Sequence, residues 1–391
     1  MFYLICRSIM AKTETVFLSI GSNLGNKKLH LQKAIFLINT TIGTVSKIAP
    51  IYQSPSWGFP SDDFYNSCIT LETSQDAFTV LQKLQAIEKT LGRTPKTLST
   101  YESRIIDLDI LYFGKDVITT KLLNIPHPRL AERAFVLKPL TDIAPQFRHP
   151  SLKKDSRNLL QQCSDKSILT KTNKKLYASE PALMSSLQFI TIEGTIGVGK
   201  TSLTKKIATE FNAKLTLERF AENPFLPKFY KDPARYAFPL EMSFLVDRHQ
   251  QFIEDTGQFN LFKNFMISDY DIFKSLVFAK ITLQYEEFNL YRKLFCLMHQ
   301  ELRKPRIFIY LHQTTERLLE QIKKRGRAYE QDITKEYLDN IHKSYINFLK
   351  TYPKKNKLII DVSNLDFVNN KTDYQTILNR IQEFAICQDD D

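Results

Sequence analysis

The sequence has few cysteines and no long apolar run. Its five cysteines, in 391 residues, are widely and irregularly spaced. None forms a C-x-x-C pair, so there is no cysteine-based metal or redox motif, and the thiols are typical of a cytosolic protein. No apolar stretch approaches the roughly 18 residues that span a bilayer. With 43% hydrophobic and 25% charged residues, the composition excludes a disordered chain and an integral membrane protein, and we expect a cytoplasmic location.

The first ten residues also lack the features of a secretory signal. Their apolar patch is too short for a signal peptide, and no small-residue cleavage site precedes Lys12. We expect an extension here, with either Met1 or Met10 as the start of the protein.

The length and the lack of an internal repeat predict two different domains. A chain of 391 residues is too long for one domain of roughly 150 residues. Residues 156–186 are rich in Ser, Lys, Asn and Thr without a sustained period, which predicts a flexible linker between domains at 12–155 and 187–391. The net charge of +12 favours a polyanionic ligand: nucleic acid, anionic lipid or a nucleoside triphosphate.

The hydrophobic patterns of the first half predict two βαβ-like units. The first consists of a strand at 15–20, a glycine-bearing turn at 21–25, a helix to Ile42 and an extended segment at 45–53. The second consists of a strand at 65–71, a helix at 77–91 and a strand at 105–113. Together they predict a ferredoxin-like α+β sheet with helices on one face.

The second half predicts a parallel sheet surrounded by helices. It opens with a strand at 189–192, continues as almost wholly helical sequence, and reaches another strand at 306–311. Between the first strand and its following helix, Gly194 to Thr201 fits the phosphate-loop pattern GxxxxGK(S/T).

The phosphate-loop pattern predicts a role for each of its characteristic residues. Gly194, Gly197 and Gly199 allow backbone N–H groups to face the phosphates of ATP. Lys200 would bridge the outer phosphates, and the Thr201 hydroxyl would bind Mg²⁺. The alternative is a glycine-rich turn with a chance lysine.

Several separated motifs show that residues 187–350 resemble the deoxynucleoside kinase family. They are found at 217–220 (LERF), 223–226 (NPFL), 229–230 (FY), 236–238 (YAF), 247–248 (DR), 325–327 (RGR) and 330–331 (EQ). The resemblance implies a P-loop α/β kinase that transfers phosphate from ATP to the 5′-hydroxyl of a deoxynucleoside. It also implies a homodimer formed through helices.

The kinase resemblance further implies specific site residues. Glu218 would be the general base for the 5′-hydroxyl, and Arg325 and Arg327 would be lid arginines that neutralise the transferring phosphate. Taken alone, the basic segment around these arginines is more typical of a solvated turn. The remaining residues implied are Arg248, Glu241 and Glu330 for the nucleoside and Asp269 for Mg²⁺.

The sequence departs from the kinase family at two positions. Tyr270 stands where relatives have an arginine between an acidic residue and a serine. Glu241 stands where relatives place a glutamine that pairs with the nucleobase. An ionised carboxylate only accepts hydrogen bonds, so it favours a base that presents donors such as an exocyclic amine, and we expect a purine.

In the first half, the strand segment RIIDLDILYF carries two carboxylates. Strand alternation places Asp107 and Asp109 on one face and a set of apolar residues on the other: Ile106, Leu108, Ile110 and Tyr112. The pair is compatible with a solvated edge strand or with a divalent ion between the carboxylates. Arg104 reaches this face only if it lies in a loop.

Residues 15–150 resemble 6-hydroxymethyl-7,8-dihydropterin pyrophosphokinase. The matching motifs lie at 21–25 (GSNLG), 52–55 (YQSP), 65–66 (YN), 85 and 88, 92–93 (GR), 104–109 (RIIDLD), 126–127 (PH), and 133 with 135. The resemblance implies transfer of the terminal diphosphate of ATP to the pterin's hydroxymethyl group, with two Mg²⁺ ions held by Asp107 and Asp109.

The pyrophosphokinase resemblance also implies which residues contact the substrates. Asn66 would pair with the pterin, and Phe64 and Phe135 would stack on it, although either phenylalanine alone is more typical of a core. The nucleotide contacts implied are Gln85, Glu88, Arg93, Arg104, Ile110, His127 and Arg133. Taken alone, His127 is more typical of a capped or solvated histidine.

The first half departs from its family on one loop, where Thr100 replaces a basic residue and Glu102 a small one. Loss of a loop cation is expected to weaken the phosphate grip by about 1 to 2 kcal/mol. Two competing hypotheses remain: one half is a non-catalytic scaffold, or the basic chain binds nucleic acid. The second lacks any helix-turn-helix, RNP or zinc-finger pattern. We therefore predict a bifunctional enzyme whose partners are dihydropterin, deoxynucleoside and ATP, without nucleic acid or membrane.

Overall fold

The computed structural model describes residues 12–56, 61–93, 103–219, 223–257, 262–299, 302–327, 330–331 and 333–388. These residues form two compact units, and the boundary lies between Leu183 and Met184. The predicted number of domains agrees with this division. Within the described ranges, no helix combines the length and apolar character needed to cross a bilayer.

Unit 1 contains a six-stranded antiparallel sheet and a two-stranded ribbon. The strands are β1 (Glu14–Ser22), β2 (Thr44–Ile48), β3 (Tyr52–Ser54), β4 (Phe64–Thr73), β5 (Asp107–Phe113), β6 (Ile118–Thr119), β7 (Asn124–Ile125) and β8 (Thr170–Lys171). The sheet has the order β5-β1-β4-β3-β8, and β2 also pairs with β4. The two-stranded ribbon consists of β6 and β7.

Helices cover both faces of this sheet. The helices are α1 (Lys27–Thr41), α2 (Ala77–Thr90), α3 (Ala134–Ile143) and α4 (Ser156–Gln162). Leu31 of α1 and Leu84 of α2 share a core with Leu18 of β1, whereas Leu137 of α3 packs with Phe17 on the other side. The prediction of helices on one face is therefore wrong, because α3 and α4 bury the second apolar face of the strands.

Helices α1 and α2 each begin at a residue whose side chain caps the helix. Asn26 accepts a hydrogen bond from the Leu29 N–H at 3.0 Å at the start of α1. Asp76 accepts from the N–H groups of Phe78 and Thr79 at the start of α2. Such side chains satisfy N–H groups that have no partner within the helix, so both predicted helices begin where the sequence provides an acceptor.

Most of the predicted linker belongs to unit 1. Leu159 and Cys163 are buried in the core beside α3, and β8 pairs with β3. The Gln32 amide forms hydrogen bonds of 2.7 and 2.8 Å with the backbone of Tyr177. The prediction of a flexible linker over 156–186 is corrected, because a few buried side chains and backbone pairs hold this polar segment.

The buried position of Leu159 gives a direct test of that correction. Leu159→Ala is expected to lower the free energy of unfolding of unit 1 by about 2 to 4 kcal/mol, since it leaves a cavity in a packed core. Differential scanning calorimetry of the full chain measures the loss. Leu152→Ala is the control, because Leu152 is 48% exposed, and an equal effect of both changes would contradict the packed position of α4.

Unit 2 contains a five-stranded parallel sheet, as predicted. Its strands are β9 (Phe189–Gly194), β10 (Lys214–Thr216), β11 (Met266–Ser268), β12 (Ile307–His312) and β13 (Lys357–Asp361). They lie in the order β10-β11-β9-β12-β13, and every neighbouring pair is parallel. The expectation of almost wholly helical sequence between β9 and β12 missed β10 and β11, which are three residues long.

Helices surround the parallel sheet. The unit boundary lies within α5 (Glu180–Ser186). The other helices are α6 (Lys200–Glu210), α7 (Leu226–Lys231), α8 (Pro233–Gly257), α9 (Lys274–Thr282), α10 (Tyr285–Met298), α11 (Thr315–Arg325), α12 (Lys335–Thr351) and α13 (Lys371–Cys387). Because parallel strands end at the same edge of a sheet, the residues that follow β9, β10 and β11 are brought together there.

Candidate active sites

In unit 2, the phosphate-loop sequence joins β9 to α6. Gly197 and Gly199 have φ values of 87° and 94°, in the left-handed region that favours glycine. A Cβ atom at Gly199 would lie 2.8 Å from the Phe367 ring, and one at Gly197 would lie 3.0 Å from Ile322. The loop conformation therefore requires glycine at both positions.

Lys200 and Thr201 begin α6 directly after the loop. Lys200 Nζ donates to the Gly194 carbonyl at 2.8 Å. Burial and the neighbouring charge of Lys274 lower the pKa of Lys200 to about 8. The Thr201 hydroxyl donates to Asp269 Oδ2 at 2.5 Å. The two residues predicted to bind metal in this half thus lie side by side.

Glu218 follows β10 and is held by two cations. Its Oε1 atom accepts from Arg248 Nε and Nη2 at 2.9 and 2.8 Å, and its Oε2 atom accepts from Lys274 Nζ at 2.5 Å. Its backbone N–H donates to Asp269 Oδ1 at 2.8 Å. Burial favours the neutral acid, but Lys274 and Arg248 outweigh it and lower the pKa of Glu218 to about 2.

Glu241, on α8, is a buried carboxyl group with one unused oxygen. The residue is 2% exposed, and its Oε1 atom accepts from the Thr282 hydroxyl at 2.9 Å. The Oε2 atom has no hydrogen-bond partner among the residues that the structure describes. Burial raises the pKa of Glu241 to about 7, although Arg248 opposes this change. A ligand that presents a donor would satisfy this atom.

The two predicted lid arginines share one carboxylate. Arg325 ends α11 and forms an ion pair with Glu330. Arg327 Nη1 lies 3.2 Å from Glu330 Oε1. The side chains of both arginines are 35% exposed, against 7% for Glu330, so the arginines are accessible while their orientation is fixed by a buried partner.

Most of these groups line one open cavity in unit 2. Its lining includes Gly197, Lys200 and Thr201 together with Glu218 and Asp269. The rest of the lining is rich in apolar and aromatic side chains: Ile196, Leu226, Phe229, Tyr230, Leu240, Phe244, Phe278 and Tyr337. A cleft lined by both charged and aromatic side chains suits a ligand that is both anionic and planar.

In unit 1, Asp107 and Asp109 lie on the face of β5 opposite α1 and α2. Their strand partners on β1 are Gly21 and Ser19, and Leu108 between them is buried in the core. The side chains of Asp107 and Asp109 are 26% and 38% exposed. The predicted pairing of the two carboxylates on one accessible face is confirmed.

Tyr112 does not lie on the predicted face of β5. A bulge between β1 and β5 leaves Leu111 without a partner, so Leu18 pairs with Ile110 and Phe17 with Tyr112. An inserted residue reverses the alternation of side chains beyond it. Tyr112 consequently packs with Phe17 in the α3 core, and its placement with Leu108 and Ile110 was wrong.

Two arginines converge on Asp107. Arg104 Nη1 lies 2.7 Å and Arg93 Nη1 lies 3.0 Å from Asp107 Oδ1. Because β5 begins at Asp107, Arg104 lies in the preceding loop and can turn back toward the carboxylate. Arg104 therefore lies in a loop, as the sequence analysis required for it to reach the face of Asp107.

A further arginine and a histidine lie near Asp109. Arg133 Nη1 and His127 Nε2 are each 3.9 Å from Asp109 Oδ2, and the Arg133 guanidinium lies 5.6 Å from the centre of the Phe135 ring. Burial and Arg133 lower the pKa of His127 to about 4, so its imidazole is neutral at neutral pH. Partial burial and Asp107 raise the pKa of Asp109.

Asn66 lies on β4 beside these charged residues. It is 4% exposed and donates to the Ser54 hydroxyl at 2.9 Å. A Cβ atom on Gly21 would lie 2.8 Å from Asn66 Oδ1 and 3.9 Å from the Phe64 ring. Glycine at position 21 thus leaves room for the amide and the ring that were predicted to bind the pterin.

Comparison with known proteins identifies the two units separately. Residues 190–386, about half of the chain, match the family "Deoxynucleoside kinase". A deoxyguanosine kinase of Bacillus subtilis is 36% identical over 208 residues, which cover 52% of this chain and 100% of the relative.

Residues 17–145 match the family "7,8-dihydro-6-hydroxymethylpterin-pyrophosphokinase". A pyrophosphokinase of Aquifex aeolicus, named for 2-amino-4-hydroxy-6-hydroxymethyldihydropteridine, is 38% identical over 141 residues, which cover 36% of this chain and 86% of the relative. The chain belongs to both families. Unit 1 is hereafter the pyrophosphokinase unit and unit 2 the kinase unit.

A solved structure is also similar to the kinase unit. It is the deoxyadenosine kinase of M. mycoides with bound dATP, at 26% identity and a TM-score of 0.44. The match covers 50% of this chain and 98% of that one.

Three residues of the pyrophosphokinase unit that were predicted to contact the nucleotide differ in their burial and in their protein contacts. Ile110 is 5% exposed and its side chain packs in the core beneath α1 and α2; a nucleotide contact at this position stays a prediction. Glu88 is buried, pairs with Arg93 and accepts from the Leu108 N–H at 2.9 Å. Gln85 is exposed on α2. Nucleotide contacts by Glu88 and Gln85 stay predictions, and Thr100 and Glu102 lie outside the described residues.

Two predicted nucleoside contacts of the kinase unit are bonded to protein groups. Arg248 was expected at the sugar or base, but it pairs with Glu218 and donates to the Ser275 hydroxyl at 2.9 Å. Glu330 pairs with Arg325 and Arg327. Both residues line the cavity, so contact with a nucleoside stays a prediction for each.

Sequence reasoning missed Lys274 and the aromatic lining of the kinase cavity. Lys274 contacts Glu218 across a sequence separation of 56 residues, and it belongs to none of the recognised motifs. Its position four residues after Tyr270 offered no signal of that contact. The aromatic residues were unremarkable in sequence because such side chains are mostly core.

Proposed function

We propose that the chain catalyses two ATP-dependent transfers. The kinase unit moves the γ-phosphoryl group of ATP to the 5′-hydroxyl of a deoxynucleoside and releases ADP. The pyrophosphokinase unit moves the β,γ-diphosphate of ATP to the hydroxymethyl group of 6-hydroxymethyl-7,8-dihydropterin and releases AMP. The proposal rests on one observation: in each unit, cationic side chains suited to phosphate lie beside a pair of oxygen donors suited to a metal ion.

In the kinase unit, the residues that line the cavity have separate roles in the reaction. The phosphate loop and Lys200 hold the ATP phosphates, and Arg325 and Arg327 face the transferring group. The 5′-oxygen bonds to the γ-phosphorus as the bond to the β,γ-bridging oxygen breaks, and the hydroxyl proton passes to Glu218. A weakly basic carboxylate suits this task because the loose transition state of phosphoryl transfer demands alignment more than basicity.

In the pyrophosphokinase unit, the attacking hydroxyl oxygen bonds to the β-phosphorus, the bond to the α,β-bridging oxygen breaks, AMP leaves, and the hydroxyl proton passes to water. Arg93, Arg104 and Arg133 supply positive charge around the triphosphate, and guanidinium groups are well shaped for phosphate oxygens. His127 is neutral and acts as a hydrogen-bonding group. Asn66 pairs with the pterin, and the rings of Phe64 and Phe135 stack on it.

The donor sets fit Mg²⁺. The described residues contain no cluster of three or more His, Cys, Asp or Glu side chains able to hold a metal. Pairs are present instead, Asp107 with Asp109 and Thr201 with Asp269. Mg²⁺ keeps water and substrate phosphate oxygens among its ligands, so such pairs suffice. When bound, Mg²⁺ offsets phosphate charge and orients the phosphates.

Glu241 supports deoxyguanosine as the preferred nucleoside. Guanine presents an exocyclic amine beside a ring N–H, so it offers two adjacent donors to a carboxylate acceptor. Adenine and cytosine present an amine beside a ring acceptor, which suits the protonated acid better. The relative named as a deoxyguanosine kinase agrees with this preference.

Glu241→Gln is expected to weaken the preference for deoxyguanosine. An amide offers a donor as well as an acceptor, so the ratio of kcat/KM for deoxyguanosine over deoxyadenosine should fall about tenfold. In the wild-type protein the pKa of Glu241 is about 7, so this ratio should rise with pH through that value as the carboxyl group ionises. The ratio is measured about one pH unit below and above the pKa.

Glu254→Gln is the matched control for Glu241→Gln, because Glu254 is an exposed glutamate on the same helix. It should leave the ratio and its pH dependence unchanged. Equal ratios for wild type and Glu241→Gln at both pH values would show that Glu241 does not face the base.

A substrate panel tests the proposed function as a whole. The full chain is incubated with ATP, Mg²⁺ and one acceptor, either a deoxynucleoside or the dihydropterin, and the products are separated. ADP formation reports the kinase unit and AMP formation the pyrophosphokinase unit. Absence of one product would favour a scaffold role for that unit. Light scattering tests the homodimer that the kinase resemblance implies, and fractionation of cells tests the expected cytoplasmic location.

A further inference from the structure

Lys274 is the first residue of α9 and is nearly buried. Its side chain is 10% exposed, and it lines the kinase cavity together with Glu218 and Lys200. Its ammonium group lies 2.5 Å from Glu218 Oε2. A lysine in such surroundings keeps its charge only with a close anionic partner, and Glu218 is that partner.

Position 270 cannot supply this charge. Tyr270 stands where the kinase resemblance leads one to expect an arginine, and the structure buries it completely. Its hydroxyl oxygen has no hydrogen-bond partner among the described residues, so it gives Glu218 no donor. The cation at Glu218 Oε2 comes from Lys274, four residues further along the chain.

Arg248 and Lys274 divide the Glu218 carboxylate between them. Arg248 donates to Oε1 and Lys274 to Oε2, so each oxygen has its own cation. Two donors on different oxygens fix the plane of a carboxylate as well as its charge, whereas one leaves the group free to rotate. Removing Lys274 would therefore release one oxygen while Arg248 keeps the other in place.

Other charged groups act on Glu218 as well. They come from the strands and helices that meet at this end of the sheet. The titratable and charged residues that face it are Glu193, Lys200, Arg248, Asp269, Tyr270, Lys274 and Tyr345. Lys274 and Arg248 make the largest opposing contributions to the effect of burial and keep the pKa of Glu218 low.

We propose that Lys274 is a positioning residue of the kinase reaction: it holds the Glu218 carboxylate oriented toward the 5′-hydroxyl, in place of a cation at position 270. This inference rests on the proposed function of the kinase unit. Lys274 acts through Glu218 and needs no contact with the substrate.

The test compares Lys274→Met and Lys274→Arg with wild type in the full chain. Lys274→Met should lower kcat for deoxynucleoside phosphorylation about 10- to 100-fold, the scale of one charge-assisted hydrogen bond, with a smaller change in the KM for ATP. Lys274→Arg keeps the charge and should restore most of the lost kcat. Lys280→Met is the matched control, because Lys280 is exposed on the same helix, and it should behave as wild type.

The division of the effect between kcat and KM separates positioning from a purely structural role. Lys274→Met leaves Arg248 bonded to one oxygen of Glu218 and frees the other, so the loss should fall on kcat while the KM for ATP changes little. Lys274→Arg restores a donor to the second oxygen and should recover kcat. A structural role alone would lower the melting temperature, which calorimetry measures, without this selective loss of kcat.

Two results overturn the inference in different ways. If wild type forms ADP with deoxynucleosides and Lys274→Met keeps its kcat, Lys274 has no positioning role. The same holds if Lys274→Arg is as impaired as Lys274→Met while both remain folded. If wild type itself forms no ADP with any deoxynucleoside, the proposed function of the kinase unit fails instead.

Discussion

Replacing Lys200 by alanine is expected to lower kcat/KM for deoxynucleoside phosphorylation by about 10³-fold while AMP formation with the dihydropterin stays unchanged. Lys200 is the cation at the start of α6, and a fixed donor to transition-state charge contributes about 10²- to 10³-fold on its own. Its ammonium group rests on the Gly194 carbonyl, so it is already located where the phosphates are expected. ADP and AMP formation measured on the same preparation give both rates.

Lys205→Ala is the matched control for Lys200→Ala, because Lys205 is an exposed lysine of α6. It should retain both activities. If Lys200→Ala still phosphorylates deoxynucleosides at the wild-type rate, the phosphate loop takes no part in the reaction. Parallel loss of both activities would instead indicate that the change disrupts folding.

Asp109→Asn is expected to lower AMP formation by about 10²- to 10³-fold, because it removes one of two carboxylates that fit Mg²⁺. Asp109 is the more available of the pair, since Asp107 Oδ1 lies within 3.0 Å of two arginines, whereas Asp109 Oδ2 is 3.9 Å from its neighbouring cations. The rate is measured over a range of Mg²⁺ concentrations, and added Mg²⁺ should restore part of it.

Asp116→Asn provides the comparison for Asp109→Asn, because Asp116 is exposed just beyond β5. It should leave AMP formation and its Mg²⁺ dependence unaltered. Wild-type AMP formation by Asp109→Asn would mean that the β5 carboxylates are a solvated strand face and not a metal site.

Much of the fold could be predicted because long elements bury regular apolar patterns. Helices α1 and α2 and the central strands were found close to their observed bounds. Strands β10 and β11, at three residues each, are too short to show a period. The bulge at Leu111 depends on the pairing between β1 and β5, which a single strand's sequence does not contain. The segment after Asp155 looked unstructured because its few buried residues are widely spaced.

Site residues that lie close together in the sequence could be predicted, whereas contacts between residues that are distant in the sequence could not. Gly199 to Thr201 belong to one contiguous pattern, and Asp107 and Asp109 to one strand. The environment of Glu218 depends on Arg248 and Lys274, which lie 30 and 56 residues away in sequence. Only the folded chain shows that these cations share one carboxylate, and only it shows that the side chain of Ile110 is enclosed in the core.

Strand β8 determines where the chain can be truncated to obtain an N-terminal fragment. Thr170 and Lys171 pair with Gln53 and Tyr52 at the margin of the first sheet, so a protein truncated after residue 155 would leave the edge of β3 that faces away from β4 unpaired. Unpaired margins of this kind join neighbouring molecules into aggregates. A soluble N-terminal fragment for crystallisation or inhibitor screening should therefore extend to Leu183.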